Sequence, residues 1–210
     1  MAAQRPELGQ MLQGPGVFLD VGTGVGWFAI EAARSWPTLR VVGIDPWEPA
    51  LTLARQNLAQ SGVAERVELR LQRVEELEET KTFTLVWLPG PFIAGEIVDR
   101  ALERIYRALV PGGWLVFGFN PLPDDRLEET LASLRIVRSG GYPWTPREVE
   151  EKFQEYGFEQ IEVYSPTPPI PAISASAFSQ ILFVIGRRPV LSENQLSSTS
   201  HEFRSKRRNQ

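Results

Sequence analysis

The residues of this chain best suited to chemistry are Asp20-Val21-Gly22-Thr23-Gly24-Val25-Gly26. They follow the apolar run Val17–Val21 and precede a segment with apolar residues at helical spacing, so they read as a strand-to-helix turn. Glycines there let the backbone turn sharply and approach a ligand without Cβ interference. The helix start beyond them offers unpaired N–H groups and the positive end of a dipole, which suits a carboxylate or phosphate. Asp45 ends the next apolar run, where a carboxylate can accept both hydroxyls of a ribose. It is equally placed to cap the helix that follows, with Pro46 in the first turn, and the two roles are compatible.

The glycine spacing narrows the ligand. A dinucleotide fingerprint spaces its glycines G-x-G-x-x-G, whereas this turn reads G-x-G-x-G and puts the bulky Trp27 where the last glycine belongs. A carboxylate at Asp20 is unhelpful beside a pyrophosphate and helpful beside an ammonium group. S-adenosylmethionine carries an ammonium, a ribose and a sulfonium, and fits this pattern better than a nicotinamide dinucleotide. A nicotinamide-dependent oxidoreductase is the weaker alternative.

Other chemistries are absent from the sequence. The 210 residues contain no Cys, and the single His, His201, lies in a polar stretch near the end. Disulfides, thiolate metal sites, cysteine nucleophiles and histidine bases in the folded part are therefore excluded, and no metal site is expected. The formal net charge of −4 argues against a general nucleic-acid binder, and residues 1–189 alone are more acidic, because Arg204, Lys206, Arg207 and Arg208 lie beyond them. No run approaches the roughly 20 apolar residues of a membrane helix, and Met1–Gly16 does not read as a signal peptide. A cytoplasmic protein without membrane contact is expected.

The elements that position these residues alternate. Strands are expected at Val17–Val21, Arg40–Asp45, Arg66–Leu71, Phe83–Leu88 and Trp114–Gly118, with helices at Gly24–Ser35, Glu48–Ser61, Glu96–Leu109, Asp124–Val137 and Pro146–Tyr156. Pro111-Gly112-Gly113 is read as the stop of the third of these helices. Such βαβ alternation implies a doubly wound α/β fold, a mostly parallel sheet with helices on both faces. Phe158–Tyr164 and Ser179–Arg187 are two further strands with only the Pro-rich Ser165–Ala172 connector between them, which makes them antiparallel.

The segments FLDVGTGVGWFAIEAA, VVGIDPWEPALTLARQNL, FTLVWLPGPFI, ALERIYRALVPGGWLVFG and GFEQIEVY, in that order, resemble class I S-adenosylmethionine-dependent methyltransferases. The resemblance implies a seven-stranded sheet with the last strand antiparallel. It places Asp20, Gly22, Gly24 and Gly26, with Thr23 between them, along the methionine part of the cofactor. It gives the ribose to Asp45, the adenine flanks to Pro46 and Trp47, and a place facing cofactor and substrate to Leu88. Where the family commonly has an acidic residue against the adenine amine, this chain has Gln72-Arg73-Val74. Arg73 cannot accept a hydrogen bond, so backbone groups near Arg73 and Val74, or Gln72, would substitute. Thr84 stands where the fourth strand usually opens with Asp. The expected division is an N-terminal extension at 1–16, too short for the helical cover many members carry, a methyltransferase-like domain at 17–189, and a disordered polar tail at 190–210. The cover is then left to a homodimer or partner subunit, to the Ser165–Ala172 connector, or to nothing.

The function expected is methyl transfer to a small organic molecule, with no catalytic base identified. A non-catalytic member of the fold, serving as a cofactor-binding or assembly subunit, is the alternative. An aromatic rim for the substrate is expected from Trp87, Pro89, Pro91 and Phe92, together with Phe119, Asn120 and the Tyr142-Pro143-Trp144 loop. The same aromatics could instead simply pack between loops.

Overall fold

The computed structural model describes residues 6–165 and 181–190. Most of the Ser165–Ala172 connector, the start of the expected last strand at Ser179, and the basic stretch Arg204–Arg208 with His201 lie outside the described residues. The elements run α1 (Pro6–Gln13), β1 (Gly16–Val21), α2 (Trp27–Ser35), β2 (Leu39–Asp45), α3 (Glu48–Ala59), β3 (Val67–Leu71) and β4 (Phe83–Pro89). They continue as α4 (Val98–Ala108), β5 (Leu109–Phe119), α5 (Arg126–Arg138), α6 (Pro146–Glu155), β6 (Glu159–Tyr164) and β7 (Leu182–Arg187).

One seven-stranded sheet results, in the order β3-β2-β1-β4-β5-β7-β6. The five strands β1 to β5 are mutually parallel, and β7 is antiparallel to both β5 and β6. The strand order reverses at β1 and β4, and the crevice beyond their carboxyl ends is where such sheets bind ligands.

Side-chain alternation divides the core in two. Phe18, Leu85 and Val116 face Leu8 and Leu12 of α1 and Ala29 and Ala33 of α2. Leu19, Val86 and Phe117 face the other way, toward α4 and α6. In α4 the residues Val98, Ala101, Leu102, Ile105 and Ala108 recur at helical spacing and are all buried. Each fully buried large aliphatic among them contributes roughly 1.5–3 kcal/mol. By contrast α5 buries no residue, and its start is fixed by Asp125, which accepts from the Leu127 and Glu128 backbone N–H groups.

Three departures from the sequence expectation have local causes. Helix α2 begins at Trp27 rather than Gly24, because Gly22, Gly24 and Gly26 hold φ of +66°, +56° and +82°, which the right-handed helix excludes. Strand β5 starts at Leu109 and contains Pro111-Gly112-Gly113, accommodated by a shift of register against β4 between Phe83 and Leu85. Gly112 and Gly113 exchange backbone hydrogen bonds with Arg188, both 2.8 Å. Helix α1 had no counterpart in the sequence pattern. No described helix is long and apolar enough to cross a membrane.

Candidate cofactor and acceptor site

The β1–α2 turn is braced from β2. The Asp45 carboxylate accepts from the Gly24 N–H through Oδ2 at 2.9 Å and from the Trp47 N–H through Oδ1 at 2.8 Å. Thr23 N–H donates to the Ile44 carbonyl at 3.0 Å. Asp45 is therefore not the N-cap of α3, the alternative role its sequence position allowed; the N-cap is Trp47, and Asp45 closes an Asx-type turn onto it. A carboxylate has about four lone-pair sites, so two remain for a ligand. A Cβ built on Gly24 would meet only the Gly22 carbonyl oxygen, at 4.0 Å, so that side of the turn is open. At Gly26 a Cβ would press on Ala54 of α3 at 3.1 Å, which makes this glycine a helix-packing requirement.

Asp20 lies behind the same turn, 1% exposed, and accepts from the Thr23 hydroxyl at 2.6 Å. Burial pushes its carboxyl from an ordinary 3.8 up to about 7. The Thr23 hydrogen bond offsets part of this, the nearby Asp45 charge adds to it, and the Ala29 backbone hydrogen bond offsets a little more. A group with this history is held ready for a positive neighbour.

The expected adenine side is more open. Trp47 is 65% exposed. Arg73 also projects outward, its guanidinium 3.7 Å from Glu75, while Val74 is buried. The Arg73 N–H already donates to Glu76 Oε2 at 3.0 Å, and Gln72 Nε2 donates to the Glu76 carbonyl at 3.3 Å. Glu75 and Glu76 thus both contact Arg73, beside the Gln72-Arg73-Val74 segment where sequence reasoning found no acid. Trp27 is 53% exposed. Thr84 donates to the Val17 carbonyl at 3.1 Å, a tie between β4 and β1.

On the α1/α2 face a cavity of about 510 Å³ opens beside Asp20, Gly22 and Thr23. It runs along the sheet past Trp87 and Leu85 to Trp36, under Leu8 and Leu12 of α1. The rings of Phe18, Phe28, Trp87 and Phe183 form a chain of contacts 5.6–5.9 Å apart on its wall. Gly118 is essential to that arrangement, because a Cβ there would stand 1.9 Å from the Trp87 ring.

A family model described as a methyltransferase domain matches residues 18–113, which include the glycine turn, Asp45 and β4. Among curated relatives, the chain is 33% identical over 127 residues to a ubiquinone/menaquinone biosynthesis C-methyltransferase of Geobacter sulfurreducens, covering 59% of this chain and 49% of that one. It is 32% identical over 146 residues to a demethylmenaquinone methyltransferase of Lactiplantibacillus plantarum, covering 68% and 60%. Among solved structures, Haemonchus contortus phosphoethanolamine N-methyltransferase 2, in complex with phosphomonomethylethanolamine and S-adenosylhomocysteine, superposes with a TM-score of 0.69 at 22% identity, covering 84% of this chain and 49% of that one. An S-adenosylmethionine-dependent methyltransferase of Methanosarcina mazei gives 0.70 at 18% identity, covering 89% and 98%. The domain match and the shared fold are consistent with the class I methyltransferase family. The chain spans about half the length of the first curated relatives it matches.

Within this methyltransferase fold the expected substrate rim is split between the two faces of the sheet. Trp87 lines the cavity on the α1/α2 side. Phe119 and Trp144 are buried on the opposite side, where Trp144 packs edge-on to Phe117 at 5.8 Å and donates to the Ile93 carbonyl at 3.4 Å. Leu88 points to that side too and is 0% exposed, inside the core shared with α4 and α6. Phe92 stands at the surface. Phe28, Leu8 and Leu12 were not singled out from the sequence; the one signal for the last two was a pair of leucines four apart ahead of the first strand.

Proposed function

We propose that the chain binds S-adenosylmethionine across the β1–α2 turn and directs methyl transfer to a small organic acceptor. The observation that carries this reading is the pair of carboxylates, Asp20 and Asp45, flanking a left-handed glycine turn whose middle glycine faces open space. When bound, the cofactor supplies a methyl group already activated by its sulfonium. The free lone pairs of Asp45 would accept the ribose hydroxyls, and Asp20 would face the ammonium. Trp47 and Pro46 would wall the adenine, with the Arg73–Val74 segment at its edge. Methyl transfer is a direct displacement, so the protein mainly orients the reactants, and orientation supplies up to about 7–11 kcal/mol in model systems. The relatives named for ubiquinone and menaquinone biosynthesis support a small-molecule acceptor.

Isothermal titration with S-adenosylmethionine and S-adenosylhomocysteine tests the reading. Saturable binding of both is expected, and no heat at millimolar ligand refutes it. A non-catalytic role is favoured by one observation: among the described residues lining the cavity beside the glycine turn, Asp20 is the one ionisable side chain, and the cofactor ammonium would take it. Binding without transfer to any of a broad acceptor panel would decide for that role.

A further inference from the structure

We propose that the cavity between the sheet and α1 is the acceptor pocket, and that it takes a neutral molecule with an aromatic head beside Asp20 and an apolar tail beneath α1. This rests on the methyltransferase reading above. The volume of about 510 Å³ lies within the range of small-molecule sites, roughly 300–1,000 Å³.

Its two ends differ in chemistry. At the β1 end, Asp20 pairs in register with Trp87, and Phe28 meets the Trp87 ring at 5.7 Å. An aromatic ring fits among such side chains in offset or edge-on geometry. The far end is formed by Leu8, Leu12, Leu85 and Trp36, with no charged side chain lining it among the described residues. From Gly22 back to Phe18 a strand rises about 3.3 Å per residue, so the cavity is roughly 13 Å long on that side alone. A ring by itself would leave the leucine end unfilled. Asp20 and Thr23 supply the hydrogen-bonding groups at the head. The buried carboxyl, held near neutrality, disfavours an anionic head and accommodates a hydroxyl. Asp20, Gly22 and Thr23 belong to both the cavity and the glycine turn, so the head of a ligand here abuts the methionine end of the cofactor position.

The test uses the full chain with 4-hexylphenol, 4-ethylphenol and 4-hexylbenzoate, followed by Trp fluorescence and calorimetry at pH 7.5. Each buried methylene is worth about 0.8 kcal/mol, or fourfold, so hexylphenol should bind on the order of a hundredfold more tightly than ethylphenol. Hexylbenzoate should bind at least tenfold more weakly than hexylphenol. Val116→Phe from the sheet and Leu12→Trp from α1 each fill the cavity, and either should weaken hexylphenol at least tenfold while leaving S-adenosylhomocysteine affinity within twofold. The homocysteine titration also reports that each variant is folded. Saturating S-adenosylhomocysteine should leave hexylphenol affinity within threefold. Competition between the two, equal binding of the benzoate, or unchanged hexylphenol binding in both folded variants overturns the proposal. Absent hexylphenol binding with intact S-adenosylhomocysteine binding overturns the acceptor pocket alone. Absent S-adenosylhomocysteine binding overturns the methyltransferase reading and the acceptor role with it.

Discussion

Replacing Asp20 by Asn isolates the charge at the centre of the site. The folded-state carboxyl titrates near 7 and the ordinary value is 3.8, so between those pH values the folded protein holds a proton that the unfolded chain has lost. Stability from this group is complete below about pH 4 and is lost as pH rises through 7. The full loss is about 4 kcal/mol at 1.36 kcal/mol per pH unit, of which about 2.5 kcal/mol falls between pH 5 and pH 8. Asn accepts the Thr23 hydroxyl through its amide oxygen and carries no charge, so the variant does not undergo this loss. In a domain of this size 1 kcal/mol moves Tm by about 2–4 °C. The Tm difference between variant and parent should therefore widen in favour of the variant by about 5–10 °C from pH 5 to pH 8. Differential scanning calorimetry of the ligand-free proteins measures it, and titrating groups that do not interact with Asp20 cancel in the difference. A gap that is the same at both pH values would refute the claim that Asp20 is buried against its own charge.

Other perturbations read other parts of the frame. Asp45→Asn leaves one strong acceptor where two N–H groups now bind, and at about 1.5–3 kcal/mol for a charged hydrogen bond S-adenosylhomocysteine affinity should fall at least tenfold in calorimetry. Gly141→Ala would set a Cβ 1.6 Å from the Pro91 carbonyl oxygen, so urea denaturation should show a loss of at least about 1–3 kcal/mol. Asp125→Ala removes the cap of α5 at about 1 kcal/mol; because α5 buries nothing, its amides should exchange faster with Tm nearly unchanged. Phe153→Ala empties a fully buried position under β7 and should cost about 3–5 kcal/mol in the same urea assay.

How much of this was legible in the sequence follows from the range of the interactions. The strand-to-helix turn and the place of Asp45 at the end of β2 are local, set by glycines and by the lengths of consecutive elements, and the parallel direction of β1 to β5 follows from the alternation of strands and helices. The exact start of α2 was not legible, because apolar spacing through Gly24 and Val25 looks helical while three left-handed glycines forbid it. Helix α1 was hidden by its length of eight residues, since two leucines are too few to establish a period. The split of the aromatic rim was half-legible: alternation along β4 separates Trp87 from Leu88, but nothing local tells that the Tyr142–Trp144 loop folds under the opposite face. The Asp20–Thr23 hydrogen bond depends on the curvature of the turn, which three glycines leave undetermined until β2 braces it.

Two carboxylates converge on one turn, and among the described residues no Lys or Arg pairs with either. Asp45 has a structural use, since two backbone N–H groups need its charge-assisted hydrogen bonds. Asp20 accepts from the Thr23 hydroxyl and the Ala29 N–H, which do not offset its burial, and its charge raises the free energy of the folded state above pH 4. A residue that weakens the fold at neutral pH is understandable where a ligand brings the missing positive charge. The Asn variant should therefore move two measurements in opposite directions at pH 8, gaining stability while losing affinity for S-adenosylhomocysteine, whose ammonium would no longer have a carboxylate to face. A variant that gains stability and keeps its affinity would show that the ammonium sits elsewhere, and Asp20 would then be only the polar end of the cavity.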